Sequence, residues 1–280
     1  MIARVRVIRL LVAVFLIMGF SSGVSAQVRA IHMFAHRGGW SVNANREYII
    51  PENSLEGIAQ AAVMGYEGVE CDVKYTKDKK MVLMHDKTIN RTMRNACDYS
   101  ELREKVMVEG LTFDQLRNDY VLASVNPSFR TCVPTLEEFL LECKKYNMVP
   151  MLHSRIEESY ELAQKILGDG WICFTGNFDK ILKVREYSNC MVLYSPDKGT
   201  LKEMLETGSF ADGIIRYLKQ IGGDCGVSSM KYDLYTPEFI DAVKNAGFHV
   251  QASIFPAVQE SAAIKNKVTY LLTDRVRPTK

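Results

Sequence analysis

Gly68-Val69-Glu70-Cys71-Asp72-Val73, then Lys74-Tyr75-Thr76-Lys77-Asp78-Lys79-Lys80, then Met81-Val82-Leu83-Met84-His85-Asp86: the reading of this stretch decides the fold. Its first six residues have the composition of a strand. The two-residue period of a strand puts Glu70 and Asp72 on one face and Cys71 on the other. The seven residues 74–80 are too few for a parallel crossover, which takes about a dozen or more. Residues 81–84 must therefore come back as the arm of a hairpin. That return predicts His85 near the level of Asp72, although thirteen positions separate them.

On either side of this hairpin, short apolar runs alternate with helical segments. Before it, 31–35 reads as a strand ending at His36. Asn53 is the expected cap of the next helix, with Glu56 three residues on and Gly65 closing it. After it, residues 90–131 are irregular, with short helices expected near 100–104 and 112–117. Pro134-Thr135-Leu136-Glu137-Glu138 then opens a helix with Thr135 and Glu138 as a capping box. Strands are expected at 149–153, 171–175, 191–194, 212–216, 249–253 and 268–273. Helices are expected near 157–167, 179–187, 200–206, 236–245 and 257–265, the fourth starting on Thr236-Pro237 and ending at Gly247. Eight parallel strands alternating with helices in about 250 residues imply a closed (β/α)8 TIM barrel. The hairpin arm is extra to it, and 90–131 is an insertion on its rim.

The N-terminus reads as an export signal. Arg4, Arg6 and Arg9 precede the apolar run 10–20, and Val24-Ser25-Ala26 is a small-residue cleavage site. The run is well short of the roughly 20 residues of a spanning helix, so no stable membrane anchor is expected. Residues 1–26 are then a signal peptide and 27–280 a single domain, placed in a periplasm or extracellular space. Loss of those three arginines leaves 32 Lys+Arg against 33 Asp+Glu, a balance that recommends neither nucleic acid nor an anionic membrane. None of the seven cysteines forms a CxxC pair, so a thiolate zinc site is not expected. A bridge from Cys97 to Cys132 would bracket the irregular segment. The bland alternative is that the cysteines are small buried hydrophobes.

In such a barrel the reacting groups lie at the C-terminal ends of the strands. His36, Glu70, Asp72, His153 and Asp274 all fall at or just past expected strand ends. A lone histidine there is more often structural. Two histidines, a carboxylate pair and Arg37 beside the first histidine arriving at one rim are harder to explain by packing. Glu70 and Asp72 aimed into one mouth repel each other unless a cation sits between them, and hard oxygen ligands suit Ca2+ or Mg2+. Together these residues suffice for metal-assisted cleavage of a phosphodiester.

The motifs resemble the glycerophosphodiester phosphodiesterases, within the barrel-shaped phospholipase-C-like phosphodiesterases. The resemblance is carried by His36-Arg37-Gly38, Pro51-Glu52-Asn53-Ser54, Glu70-x-Asp72-Val73, Thr76-Lys77-Asp78, His85-Asp86, Arg91-Thr92, Pro134-Thr135-Leu136-Glu137-Glu138 and Leu272-Thr273-Asp274, in the family's order. It implies metal-dependent hydrolysis of small-molecule glycerophosphodiesters to glycerol 3-phosphate and an alcohol. His36 and His85 would be the general acid and base, Glu70 and Asp72 metal ligands, and Arg37 a phosphate ligand. Glu52 and Asn53 would support the histidine and metal, or serve mainly as a helix cap.

Two departures from the family pattern stand out. The family usually carries a third metal-binding glutamate and, two residues on, a lysine, where this chain has His153 and Arg155. Arg155 keeps a phosphate-binding charge. His153 removes a negative charge and opens the site to Zn2+ or Mn2+. Gln251-Ala252 stand where the family often has Trp-Thr, which changes the expected pocket wall. The competing expectations are a related phosphodiesterase acting on a lysophospholipid or glycerophosphoinositol, and a weakly catalytic barrel that binds phosphodiesters.

Overall fold

The computed structural model describes residues 31–206, 209–229, 235–254, 257–274 and 278. The expected signal, residues 1–26, lies outside them. Eight parallel strands close on themselves: β1 (His32–Ala35), β2 (Gly68–Tyr75), β3 (Val149–His153), β4 (Ile172–Thr175), β5 (Met191–Tyr194), β6 (Cys225–Ser229), β7 (His249–Ile254) and β8 (Tyr270–Thr273). β1 pairs with β8 on one side, Ala35 opposite Thr273, and with β2 on the other, Ala35 opposite Val69. At that seam Gly68 is obligatory, because a Cβ there would stand 2.3 Å from the Val149 carbonyl oxygen.

Period two divides the side chains into two layers. Val69, Cys71, Leu152, Cys173, Val192, Val227, Val250 and Leu271 pack outward against the helices. Phe34, Met151, Ile172, Phe174, Met191, Leu193 and Leu272 fill the barrel. Ser228, Gln251 and Ser253 are also buried, and Gln251 accepts from the Ser228 hydroxyl and donates to Ser253 Oγ at 3.1 Å. Gln251 is thus part of the buried packing and not a wall of the cavity described below.

The arm Met81–Leu83 runs antiparallel to β2, with Val73 opposite Leu83. Met84 N donates to Asp72 O at 2.9 Å, so His85 follows directly on a residue bonded to Asp72, as the hairpin reading requires. The helix Leu136–Tyr146 has the expected box: Glu138 N donates to Thr135 Oγ1 at 3.1 Å, and Thr135 N to Glu138 Oε2 at 2.8 Å.

Several expectations are corrected. Residues 212–216 are not a strand but lie within the helix Phe210–Ile221. The pair Ile214-Ile215 suggests a strand, but Ile214, Leu218 and Ile221 recur at helical spacing and are buried, and Ser209 caps the start. The sixth barrel strand is Cys-Gly-Val-Ser-Ser, whose small and polar residues carry little strand signal; pairing on both sides with β5 and β7 supplies the order. Residues 100–104 hold no helix, while the one expected near 112–117 is Phe113–Asp119, with Thr112 and Gln115 as its box. Asn53 is not the cap of Leu55–Met64. Ser54 is, accepting from Gly57 N at 3.0 Å. Cys97 and Cys132 are exposed free thiols and form no bridge.

The rim insertion shares a small core with the hairpin arm, in which Met93, Val108, Leu116 and Leu122 are buried with Val82, Met84, Ile89 and Val133. A two-stranded ribbon, Met93–Asn95 with Tyr120–Leu122, crosses it. No helix among the described residues is long and apolar enough to cross a membrane.

Candidate active site

The mouth of the barrel is built on two backbone turns. After β1 the chain turns at Arg37 with φ 54°, and before the helix Leu55–Met64 it turns at Asn53 with φ 52°. Both lie in the left-handed region that non-glycine residues rarely occupy. Gly39 lets the first turn lie directly on the helix, since a Cβ there would approach Ala61 N to 2.7 Å. These turns aim polar groups at β2. Arg37 N donates to Glu70 Oε2 at 3.0 Å, Asp72 N donates to Asn53 Oδ1 at 3.2 Å, and Asn53 Nδ2 to Asp72 Oδ2 at 3.4 Å. Neither Glu52 nor Asn53 acts as a cap; both face the site.

Glu70 and Asp72 are 1% and 3% exposed. Burial, and then the charge of Asp72, push Glu70 well above the usual carboxylate range. Burial also acts upward on Asp72, but the His153 hydrogen bond and the charges of His153, His85 and Arg37 prevail and hold it at about 2. His153 Nδ1 lies 3.2 Å from Asp72 Oδ1 and 3.8 Å from Glu70 Oε1, and its ring stacks on Phe174. Glu70, Asp72 and His153 each present one ligand atom, all within 4.8 Å of one another. Two buried carboxylates, one of them unfavourably charged, beside an imidazole form a donor set that fits a divalent cation.

His36 and His85 each have a carboxylate on Nδ1. Asp274 Oδ1 lies 2.8 Å from His36 Nδ1 and also accepts from Trp40 Nε1 at 3.1 Å. Asp86 Oδ1 lies 2.7 Å from His85 Nδ1. His36 Nε2 lies 3.9 Å from Glu70 Oε2. An ionised carboxylate on Nδ1 fixes the proton there and turns Nε2 to other work.

A chain of charges links the two histidine loops. Asp86 Oδ2 accepts from Arg91 Nε at 2.7 Å. Arg91 grips Glu52 with two nitrogens, at 2.7 and 2.8 Å. Glu52 in turn accepts from Arg37 Nη1 at 3.2 Å and from the Tyr48 hydroxyl at 2.7 Å, and Arg37 Nε stands 3.5 Å from Asp72 Oδ2. Burial pushes Glu52 up, yet the Arg91 hydrogen bonds and the charges of both arginines leave it below its ordinary range. Asp86 is likewise held at about 2, against burial, by Arg91 and His85.

A cavity of about 320 Å3 opens beside His36, lined by Arg37, Trp40, Tyr48, Glu52, Arg91 and Asp274. Arg155 is exposed and makes no ion pair among the described residues. Lys74, half-buried, extends the Glu70/Asp72 face by one more alternate position, and burial lowers its ammonium from the ordinary lysine range. That placement is readable from period two alone, although Lys74 was not expected in the site. Trp40 and Tyr48 carry no such signal, because Trp40 precedes and Tyr48 belongs to a short hairpin, Ser41–Val42 with Tyr48–Ile50, in an irregular stretch.

The model of the Glycerophosphoryl diester phosphodiesterase family matches residues 36–182, over half of the chain, from His36 past His153. The chain belongs to that family. Glycerophosphodiester phosphodiesterase 1 of Mus musculus is 36% identical over 126 residues, covering 42% of this chain and 32% of the relative. A glycerophosphodiester phosphodiesterase of Bacillus altitudinis is 31% identical over 109 residues, covering 39% and 38%. The chain thus spans about a third of the length of these curated relatives. Solved structures share the fold at low identity. A glycerophosphodiester phosphodiesterase from Agrobacterium tumefaciens superposes with a TM-score of 0.65 at 15% identity, over 88% of this chain and 97% of its own. An Oleispira antarctica phosphodiesterase in complex with the product sn-glycerol-3-phosphate gives 0.61 at 17%, over 87% and 92%. This family member thus keeps the closed barrel of its relatives, with His36, Glu70, Asp72, His85 and His153 all inside the matched segment.

Proposed function

We propose that the chain hydrolyses glycerophosphodiesters to glycerol 3-phosphate and an alcohol. The observation that carries this reading is the pair of histidine–carboxylate couples, His36 with Asp274 and His85 with Asp86, joined by one charge network around buried Glu70 and Asp72. Such couples suit one imidazole to accept a proton while the other donates one. The base takes the proton of an attacking hydroxyl, as in a glycerol with a neighbouring free hydroxyl. The acid protonates the oxygen of the departing alcohol as its bond to phosphorus breaks, which leaves a cyclic glycerol phosphate. A water deprotonated by the second histidine then attacks phosphorus while the first returns its proton to the glycerol oxygen, opening the ring to glycerol 3-phosphate.

Arg37, held by Glu52, offers positive charge to the phosphoryl oxygens, where such charge counts most in the transition state. Arg155 and Lys74 add positive charge from the β2–β3 side. Glu70, Asp72 and His153 are the residues that would hold a divalent cation. When bound, it supplies Lewis-acid neutralisation of the phosphoryl group. Their mixed nitrogen and oxygen donors admit Zn2+ or Mn2+ as well as Ca2+ or Mg2+.

The reading is tested with glycerophosphocholine and glycerophosphoethanolamine, assaying glycerol 3-phosphate with and without chelator and with each metal restored. Metal-restored product supports it. No product from any glycerophosphodiester overturns it, and chelator-resistant product removes the metal. The N-terminal residues also support export, which mature N-terminal sequencing checks, with Gln27 expected first; retention of Met1 would reject it.

A further inference from the structure

The two histidine–carboxylate couples are anchored differently. His36 and Asp274 stand 238 positions apart, just past the ends of β1 and β8, and both are mostly buried. Those two strands pair directly, so the barrel itself holds the first couple. His85 and Asp86 are neighbours in sequence, on a turn where the His85 side chain is 41% exposed. The backbone is tied on either side of them, by Met84 N to Asp72 O and by Val108 N to Lys87 O. Their side chains nevertheless ride on the same turn. A carboxylate that travels with its histidine cannot by itself fix where that histidine points.

Among the described residues Asp86 has one other side-chain partner, Arg91, whose Nε donates to Asp86 Oδ2 at 2.7 Å. The other nitrogens of Arg91 reach out of this loop. Nη2 donates to Glu52 Oε1 at 2.7 Å, and Nη1 to Glu52 Oε2 at 2.8 Å and to the Tyr48 hydroxyl. These four bonds use most of the planar fork and leave it little to offer a substrate. The far end is firm. Glu52 is buried between Pro51 and Asn53, also buried; Asn53 N is bonded to Arg37 O, and Ser54 caps the helix that follows. A lone exposed ion pair contributes little, but a bidentate grip on a buried carboxylate is directional.

We propose that Arg91 is a positioning residue for His85: it tethers the Asp86–His85 couple to buried Glu52 in the loop after β1. The proposal rests on the activity proposed above, and it assigns to that reaction a residue that works through His85 without holding the diester. Glu52 also receives Arg37 Nη1 at 3.2 Å. One carboxylate therefore carries the arginine on the phosphate side and, through Arg91, the histidine on the far side. The distance between those two groups is set by side chains and not by the turn alone. A lysine at this position would keep the charge, but its ammonium is a point and cannot span Asp86 and Glu52 as the fork does.

Two measurements test it. Arg91→Met should lower kcat for glycerophosphocholine about tenfold or more, the cost of a misdirected reacting group, with KM changed by less than about threefold. In His85→Ala the same substitution should cost less than about twofold, because the tether has nothing left to aim. Arg91→Lys should lose nearly as much as Arg91→Met, and it carries the same comparison if Arg91→Met does not fold. A raised KM with kcat unaltered would make Arg91 a phosphate ligand and overturn the proposal. A full loss in the His85→Ala background, or a normal kcat in Arg91→Lys, overturns it too. The second measurement needs no turnover. The chain has five histidines, and the Cε1–H resonance of His85 is the one missing from His85→Ala. Its order parameter should fall in Arg91→Lys, while those of His32 and His249, at the starts of β1 and β7, stay unchanged. An unchanged order parameter at His85 overturns the proposal whether or not any diester is hydrolysed. A loosened His85 in a protein that hydrolyses no diester rejects only the proposed activity.

Discussion

Asn53 N donates to Arg37 O at 2.8 Å, and both residues sit in the left-handed region, at φ 52° and 54°. Each turn thus holds the other in a conformation that costs a non-glycine residue about 1–2 kcal/mol. The strain places Arg37 N on Glu70 and the Asn53 amide on Asp72. Asn53→Gly should keep the turn and lose only the amide contacts, whereas Asn53→Ala should lose both. The expected result is that the alanine variant melts lower than the glycine variant by about 1 kcal/mol in thermal or urea unfolding. Equal stability of the two would show that the turn is not strained.

Removing either catalytic candidate should be costly without being structural. His36→Ala and His85→Ala should each lower kcat about a hundredfold or more, the usual acid–base contribution, with near-normal circular dichroism. A near-normal rate in either variant removes that histidine from the mechanism.

Burial of two carboxylates, with Glu70 pushed well above its ordinary range, leaves a charge penalty that a bound cation relieves. A divalent cation at about a hundred times its Kd should therefore raise Tm by about 5 °C or more. Glu70→Gln and Asp72→Asn should abolish that shift. His153→Glu should tighten Mg2+ or Ca2+ relative to Zn2+, as judged by titration calorimetry. Unchanged metal preference would mean that His153 is not a ligand.

Acid should loosen the mouth in a defined window. The Asp86 carboxyl sits at about 2, below its ordinary 3.8. Its contribution to stability is therefore present above about pH 4 and lost as pH falls through about 2. Glu52, also lowered, acts in the same direction. Tm of the unaltered protein should fall over this range more steeply than Tm of Asp86→Asn, and superposable slopes would reject the linkage.

The barrel was legible because its strands and helices differ in period, and because a seven-residue link excludes a parallel crossover between 73 and 81. It failed at 212–216, where an isoleucine pair outweighed the weaker helical spacing around it. It failed again at Cys225–Ser229, a strand ordered by its neighbours rather than by its own residues. Within the site, strand ends located His36, Glu70, Asp72, His153 and Asp274. The partners of Glu52 were not legible, because Tyr48 and Arg91 reach it from irregular segments whose approach depends on tertiary packing. The Cys97–Cys132 bridge had spacing in its favour but not geometry.

The hairpin Ser41–Ile50 and the rim insertion meet at several points. Val125 N donates to Tyr48 O, Ser124 Oγ to Ile49 O, and Arg91 clasps both Tyr48 and Glu52. Two segments separated in the chain are therefore bonded into one structure on the rim of the barrel. Exchanging either segment alone for that of a relative would orphan a buried carboxylate or a guanidinium. A chimera that redirects specificity must therefore carry residues 40–52 and 86–131 together.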